Sequence, residues 1–250
     1  MAEPHPREAG IEAPAFYALT GGGWRDWWTL LHPPYTIWHL SYVVLGAASA
    51  PEVDLAHTGA ALAAFFLGVG LGAHALDELN GRPLRTKIAG STLWVLAITS
   101  IAGAAVIGAV GVSRVGTSLI PFIVFGSFIV TAYNLEVFGG MFHNDFWFAF
   151  AWGAFPAFTG FWINAGRVTT AGVAVAIACY ALSAAQRTLS TPVRALRRRT
   201  LRVVGLIART DGTAETIDRA SLTHAPEAAL RALSIAVPVL AAGMLAMRTL

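Results

Sequence analysis

The sequence predicts an all-α integral membrane protein, a bundle of about seven transmembrane helices with its N-terminus in the cytoplasm. Three observations carry this. The 250 residues are 56% hydrophobic and only 12% charged, roughly half the charge of an ordinary soluble domain and too little to cover a solvated globule. The chain holds seven apolar runs without a single Lys or Arg. The basic residues between the runs are sharply biased to one side. The same composition excludes a water-soluble enzyme, a disordered scaffold and a collagen-like fibre.

A hydrocarbon core about 30 Å thick takes roughly 20 residues of helix. The runs cover residues 35–50, 55–76, 88–113, 115–135, 146–166, 168–186 and 232–247, of which the first and last are short. The first 23 residues lack the apolar centre of a signal peptide and read as a soluble arm, and the cytoplasmic arm as a whole is expected over residues 1–34. Arg7, Arg25, Arg82, Arg85, Lys87 and the nine arginines from Arg187 to Arg231 then fall inside, against Arg114, Arg167 and Arg248 outside. That is a positive-inside distribution. The expected organisation is a cytoplasmic arm (1–34), a six-helix membrane core (35–186), a basic cytoplasmic segment (187–231) and a last transmembrane helix (232–250) ending outside. A multi-pass protein of the cell membrane follows, with no nucleic acid among its partners.

Within the basic segment, residues 194–207 mix a basic face with an apolar one. That suits a helix lying on anionic lipid headgroups, or a plain stop-transfer cluster. Cys179 is the sole cysteine, so no disulfide or thiolate metal site is available. Lys87 is the sole lysine and lies between spans, which excludes a retinal Schiff base in the last helix.

Ionisable residues at the ends of spans are the candidates for chemistry, because burying them in lipid is costly. At the end of the second run, His74 sits one helical turn before Asp77 and Glu78, so the three share a face, and Arg82, Arg85 and Lys87 follow. Carboxylates there could hold Mg²⁺ bound to a phosphate, with the basic residues taking phosphate charge. The plainer reading is a helix end neutralised by its own arginines. The loop from Tyr133 to Asp145 carries Glu136, His143 and Asp145 and no basic residue, where basic residues are expected. It is either folded into a cavity or a polar loop between aromatic belts. The end of the sixth run offers hydroxyls and Arg187. His39 lies within the first run and makes either a helix-to-helix bond or a site contribution. Phe146 to Phe158 is rich in aromatics, Trp152 among them, which either pack the bundle or shield a cationic intermediate by their ring faces.

This order of features resembles the UbiA-type intramembrane aromatic prenyltransferase superfamily, from about Trp28 to Arg199. The family's second span ends in Asn-Asp-x-x-Asp-x-x-x-Asp followed by Arg-Pro. Here His74 stands at the first aspartate position, Asp77 matches the second, Gly81 falls at the third, and Arg82-Pro83 follows. Tyr133 matches the tyrosine that opens the family's next loop, and Ala151-Trp152-Gly153-Ala154-Phe155-Pro156 matches its Ala-x-Gly-x-x-Pro segment. The family's second acidic motif would fall near residues 183–187, where no acid is present. The resemblance implies an isoprenyl diphosphate as substrate, Mg²⁺ as cofactor, and catalytic roles for Asp77, Glu78 and Tyr133.

Three functions remain open at this point. In the first, a prenyltransferase-like enzyme holds the diphosphate through Mg²⁺ on Asp77 and Glu78, with Arg82, Arg85, Lys87 and Arg187 taking charge and Trp152 lining the substrate. In the second, the same fold builds a His/carboxylate site from His74, Asp77, Glu78, Glu136, His143 and Asp145 suited to iron, zinc or manganese. In the third, the protein binds a lipid or pigment without catalysis. Both enzymatic readings expect the two acidic clusters to converge across about 60 residues of sequence.

Overall fold

The computed structural model describes residues 13–249; the first residues of the expected arm, Arg7 included, lie outside them. Helix ends are set by side chains and backbone freedom that the sequence displays. Helix α1 (Trp24–Leu31) begins after Gly21, Gly22 and Gly23, all at positive φ. It stops at His32, in a left-handed conformation, before Pro33 and Pro34 restart the chain as α2 (Pro33–Ala48). Asp54 caps α3 (Leu55–Leu79), accepting from the amides of Ala56 and His57 at 2.8 and 2.9 Å. Gly116 separates α4 (Gly90–Val115) from α5 (Thr117–Asn134). Asn144 caps α6 (Asp145–Ala165), accepting from the Trp147 amide at 3.0 Å. Helix α7 (Thr170–Arg199) runs through Pro192. A small antiparallel hairpin, β1 (Gly205–Ala208) and β2 (Ala214–Ile217), leads to α8 (Arg219–Thr249).

Two helices contain π-type turns, Phe66–Ala73 in α3 and Phe150–Ala154 in α6. In α6 the turn lies just before Pro156, whose ring cannot follow the regular helical pattern; the wider turn accommodates it. Trp152 sits in that turn.

Helices α3 to α8 are each long and apolar enough to cross a membrane. Helix α2, at 16 residues, is shorter and central: Trp38, Tyr42, Val43 and Ala47 expose no surface. Glycine makes its packing on α6 possible. A Cβ on Gly46 would lie 1.9 Å from the Ala157 carbonyl oxygen, and one on Gly160 2.1 Å from that of Val43. Reciprocal small residues of this kind bring membrane helices into backbone contact. Helix α2 also lies along α8. At one end the Arg231 guanidinium rests over Phe16, 5.1 Å from the ring centre; at the other Arg248 donates to the Ala50 carbonyl at 2.9 Å. Trp94, Val95, Ile98, Val106 and Val110 of α4 remain exposed, an apolar face suited to lipid.

Three expected boundaries differ from those observed. Residues 13–34 are folded onto the bundle, with Tyr17 buried and Arg197 and Arg198 donating to the carbonyls of Ala13 and Pro14. Helix α7 does not end near residue 186 but continues to Arg199, and the last helix starts at Arg219. Charged residues ended the apolar runs, yet a charged residue on a helix that has risen out of the apolar layer is no reason for the helix to stop. The pair between Arg197 and Glu227, at 2.5 Å and shielded from solvent, ties these two extensions together.

Candidate functional site

Glu78 organises the loop after α3. Its side chain is fully buried, and its carboxylate accepts from the amides of Leu84 and Thr86 at 2.9 and 2.8 Å and from the Thr86 hydroxyl at 2.9 Å. These bonds hold a tight turn in which Arg82 and Arg85 adopt left-handed backbone conformations, rare for such residues. Arg82 folds back and donates to the Ile88 carbonyl at 2.6 Å, and the Lys87 amide donates to Asp26 at 2.9 Å. Glu78 and Arg82 therefore serve the loop itself. Arg85 is exposed and donates to the Arg198 carbonyl at 3.3 Å.

One turn earlier, His74 donates from Nδ1 to the Gly70 carbonyl at 3.0 Å, and its ring lies 4.2 Å from that of His32. Burial, and then the neighbouring His74, hold His32 well below the usual imidazole range, so it is neutral at pH 7. Asp77 has a different setting. Its carboxylate makes no hydrogen bond or ion pair among the described residues; Arg198, Arg194 and His143 act on it through space.

The loop after α5 meets this group. Asn80 donates to the Asn134 carbonyl and to Glu136, both at 3.3 Å. His143 donates to the Tyr133 carbonyl at 3.0 Å, lies 3.8 Å from Glu136, and stacks on the Tyr133 ring at 4.5 Å. The two clusters thus come together at one end of the bundle. Asp145 stays apart: it points outward and is bound by Arg187 at 2.9 Å.

The third wall is α7. Arg187, Arg194 and Arg198 recur at helical spacing and lie on one face. Arg187 sits over the Phe148 ring at 5.2 Å, and Arg194 donates to Thr191 at 3.3 Å. Arg194 and Arg198 have no carboxylate within ion-pair distance among the described residues, although Asp77 lies close enough to act on Arg194. The sequence reading assigned Arg194 and Arg198 to a separate basic segment and so missed them. Their spacing from Arg187 was the available signal.

Below this polar end lies an apolar cavity of about 140 Å³ between α3, α4, α5 and α6, lined among others by Val69, Ile129, Val130, Trp152, Phe155 and Ile163. Trp152 belongs to both regions. One neighbour is the cavity, and another is the Tyr133 ring, whose centre is 4.5 Å from its own. Phe148 stacks on Trp152 at 5.7 Å with nearly parallel planes.

The expected His/carboxylate centre is not assembled here. Among the described residues, no three His, Cys, Asp or Glu side chains come together to hold a metal ion. Glu78 is committed to its loop and Asp145 to Arg187, while His74 keeps Nε2 free once Nδ1 donates to Gly70; this leaves Asp77 as a carboxylate without a partner among the described residues and Glu136 beside His143. This donor set fits an iron, zinc or manganese centre poorly. It is compatible with Mg²⁺, which binds through one or two carboxylates and shares the rest of its shell with substrate phosphate and water. No family model, no curated protein and no solved structure matches this chain.

Proposed function

We propose that the protein is a UbiA-like membrane enzyme acting on an isoprenoid diphosphate, with prenyl transfer as its reaction. It would cross the cell membrane seven times, α2 included, with the polar end in the cytoplasm and the C-terminus outside. The observation that carries the reading is the Tyr133–Trp152 contact, where the apolar cavity and the arginine face of α7 meet. An amphiphile with an apolar tail and an anionic head has the shape and charge that such a junction selects.

In this reading the tail enters between α3 and α6, and Arg187, Arg194 and Arg198 take the diphosphate oxygens. Asp77 would hold Mg²⁺ jointly with the diphosphate. When bound, that ion neutralises phosphate charge and polarises the leaving oxygen. The faces of Tyr133, Phe148 and Trp152 stabilise the positive charge that develops on the allylic carbon, and the apolar walls keep water from it. Glu78 acts here by shaping the loop that carries Arg85.

A second reading, a lipid- or pigment-binding subunit without catalysis, is favoured by one observation: Asp77 is the single carboxylate of the first cluster left for a metal among the described residues. Farnesyl diphosphate and Mg²⁺, offered to the protein in nanodiscs, separate the two. Binding with slow, Mg²⁺-dependent release of pyrophosphate is expected. Binding without release supports the second reading, and no binding contradicts both.

A further inference from the structure

Helix α1, Trp24-Arg-Asp-Trp-Trp-Thr-Leu-Leu31, is divided by side. On a helical wheel Asp26, Thr29 and Leu30 share one face, and all three are buried. Leu30 packs in one core with Val69, Ala73 and Leu76 of α3 and Leu93 of α4. The Asp26 carboxylate, the sole acid of α1, is turned inward and accepts from the Lys87 amide at 2.9 Å. Trp24, Trp27 and Trp28 form the opposite face, with exposures of 64%, 40% and 43%. Three uncovered indoles on one short helix are a binding surface rather than a solvated one. Leu76 and Leu93 stand at the ends of the apolar stretches of α3 and α4, so α1 lies where the chain meets the edge of the apolar layer.

We propose that α1 is a membrane-surface helix: its tryptophan face beds in the headgroup boundary of the leaflet at the polar end, and Arg25 and Lys87 take the phosphate of an anionic phospholipid there. This inference does not rest on the diphosphate reading. Tryptophan favours that boundary because its ring is apolar and its N–H polar. The two cations stand beside the same turn. A Cβ on Gly21 would lie 3.6 Å from Arg25 Cδ, and one on Gly22 3.5 Å from Lys87 Cδ. The Arg25 guanidinium rests over the Trp24 ring, 5.3 Å from its centre, which joins the charged edge to the aromatic face. Neither cation has a carboxylate within ion-pair distance among the described residues. An anionic lipid supplies both missing parts, a phosphate for the cations and acyl chain for the indoles. A second copy docked on the same face would instead bring four cations together, which like-charge repulsion opposes.

Fluorescence quenching of the full chain in nanodiscs tests this. An NBD label is placed at Trp27→Cys, and separately at Asp211→Cys on the exposed hairpin turn, each in a Cys179→Ser background. Lipids carrying a nitroxide at carbon 5 of the acyl chain, as phosphatidylglycerol or phosphatidylcholine, quench from the membrane, and iodide quenches from water. The label at 27 should be quenched by both lipids and protected from iodide, with the reverse at 211. Phosphatidylglycerol should reach half-quenching at about a fivefold lower mole fraction than phosphatidylcholine, the scale of basic residues at an anionic surface. Arg25→Gln with Lys87→Gln should bring the two lipids level. Should Trp27→Cys fail to fold, Trp24→Cys, at the most exposed of the three indoles, gives the same readout. Iodide quenching at 27 without lipid quenching would show a water-facing helix, and shielding from both would show a protein partner; either overturns the proposal. So would equal quenching by the two lipids in the wild-type background, or a preference that survives loss of both cations.

Discussion

Replacing Arg194 with glutamine is expected to weaken farnesyl diphosphate binding by about ten- to a hundredfold, the loss of one charge-assisted hydrogen bond at about 1.5–3 kcal/mol. The reasoning starts from its neighbours. Arg194 lies between Arg187 and Arg198 on one face of α7, it donates to the Thr191 hydroxyl, and no carboxylate is within ion-pair distance among the described residues. The other two arginines are partly occupied, Arg187 by Asp145 and Arg198 by the Pro14 carbonyl. Arg194 is thus the one with most charge to offer an incoming anion. The variant should fold as well as the wild type, because removing the central charge of three relieves their mutual repulsion. Binding of farnesol, which has the tail without the diphosphate, should be unchanged. A variant that binds both ligands as the wild type does would remove the arginine face from the account.

Glu78→Ala should destabilise the protein by about 3 kcal/mol or more, read as a lowered midpoint of thermal unfolding in detergent. It removes three acceptor contacts at once and leaves the buried amides of Leu84 and Thr86 unpaired, each at about 1–3 kcal/mol. Glu78→Gln separates this structural role from metal binding. An amide keeps one acceptor but turns its NH₂ toward a donor, so stability should fall by a smaller amount. Mg²⁺ dependence of farnesyl diphosphate binding should stay as in the wild type once the folded fraction is equal. A stable Glu78→Gln variant with lost Mg²⁺ dependence would instead make Glu78 a metal ligand.

The contrast between Glu78 and Asp77 marks where sequence reasoning stops. Both residues stand at the end of the same apolar run, and their types and spacing are equally suited to a metal. What separates them is tertiary: one carboxylate faces a loop that folds back six to eight residues later, and the other faces α7, more than a hundred residues away. The apolar runs of α3 to α6 were legible because apolar length is a local property, and the caps Asp54 and Asn144 stand where those runs begin. The gathering of the two acidic clusters at one end followed from the alternation of crossings alone. Helix α7 was legible only as far as its apolar part. Pro192 and the arginines beyond Gln186 read as an ending, whereas contacts with residues 13–14, Glu227 and Arg85 hold the helix together to Arg199. The same cut hid the spacing of Arg187, Arg194 and Arg198. His32 carried no signal, since its stacking on His74 depends on the break between α1 and α2.

The central claim is that one amphiphile spans the arginine face and the apolar cavity, and photo-crosslinking tests it most directly. A farnesyl diphosphate analogue with a benzophenone at the far end of its tail, irradiated with the protein in nanodiscs, should label residues around the cavity such as Val69, Ile129 and Phe155. Unlabelled farnesyl diphosphate should suppress the adducts, and Arg194→Gln should reduce them. Adducts confined to the exposed face of α4, at Val95 and Ile98, or unaffected by unlabelled competitor, would contradict the account.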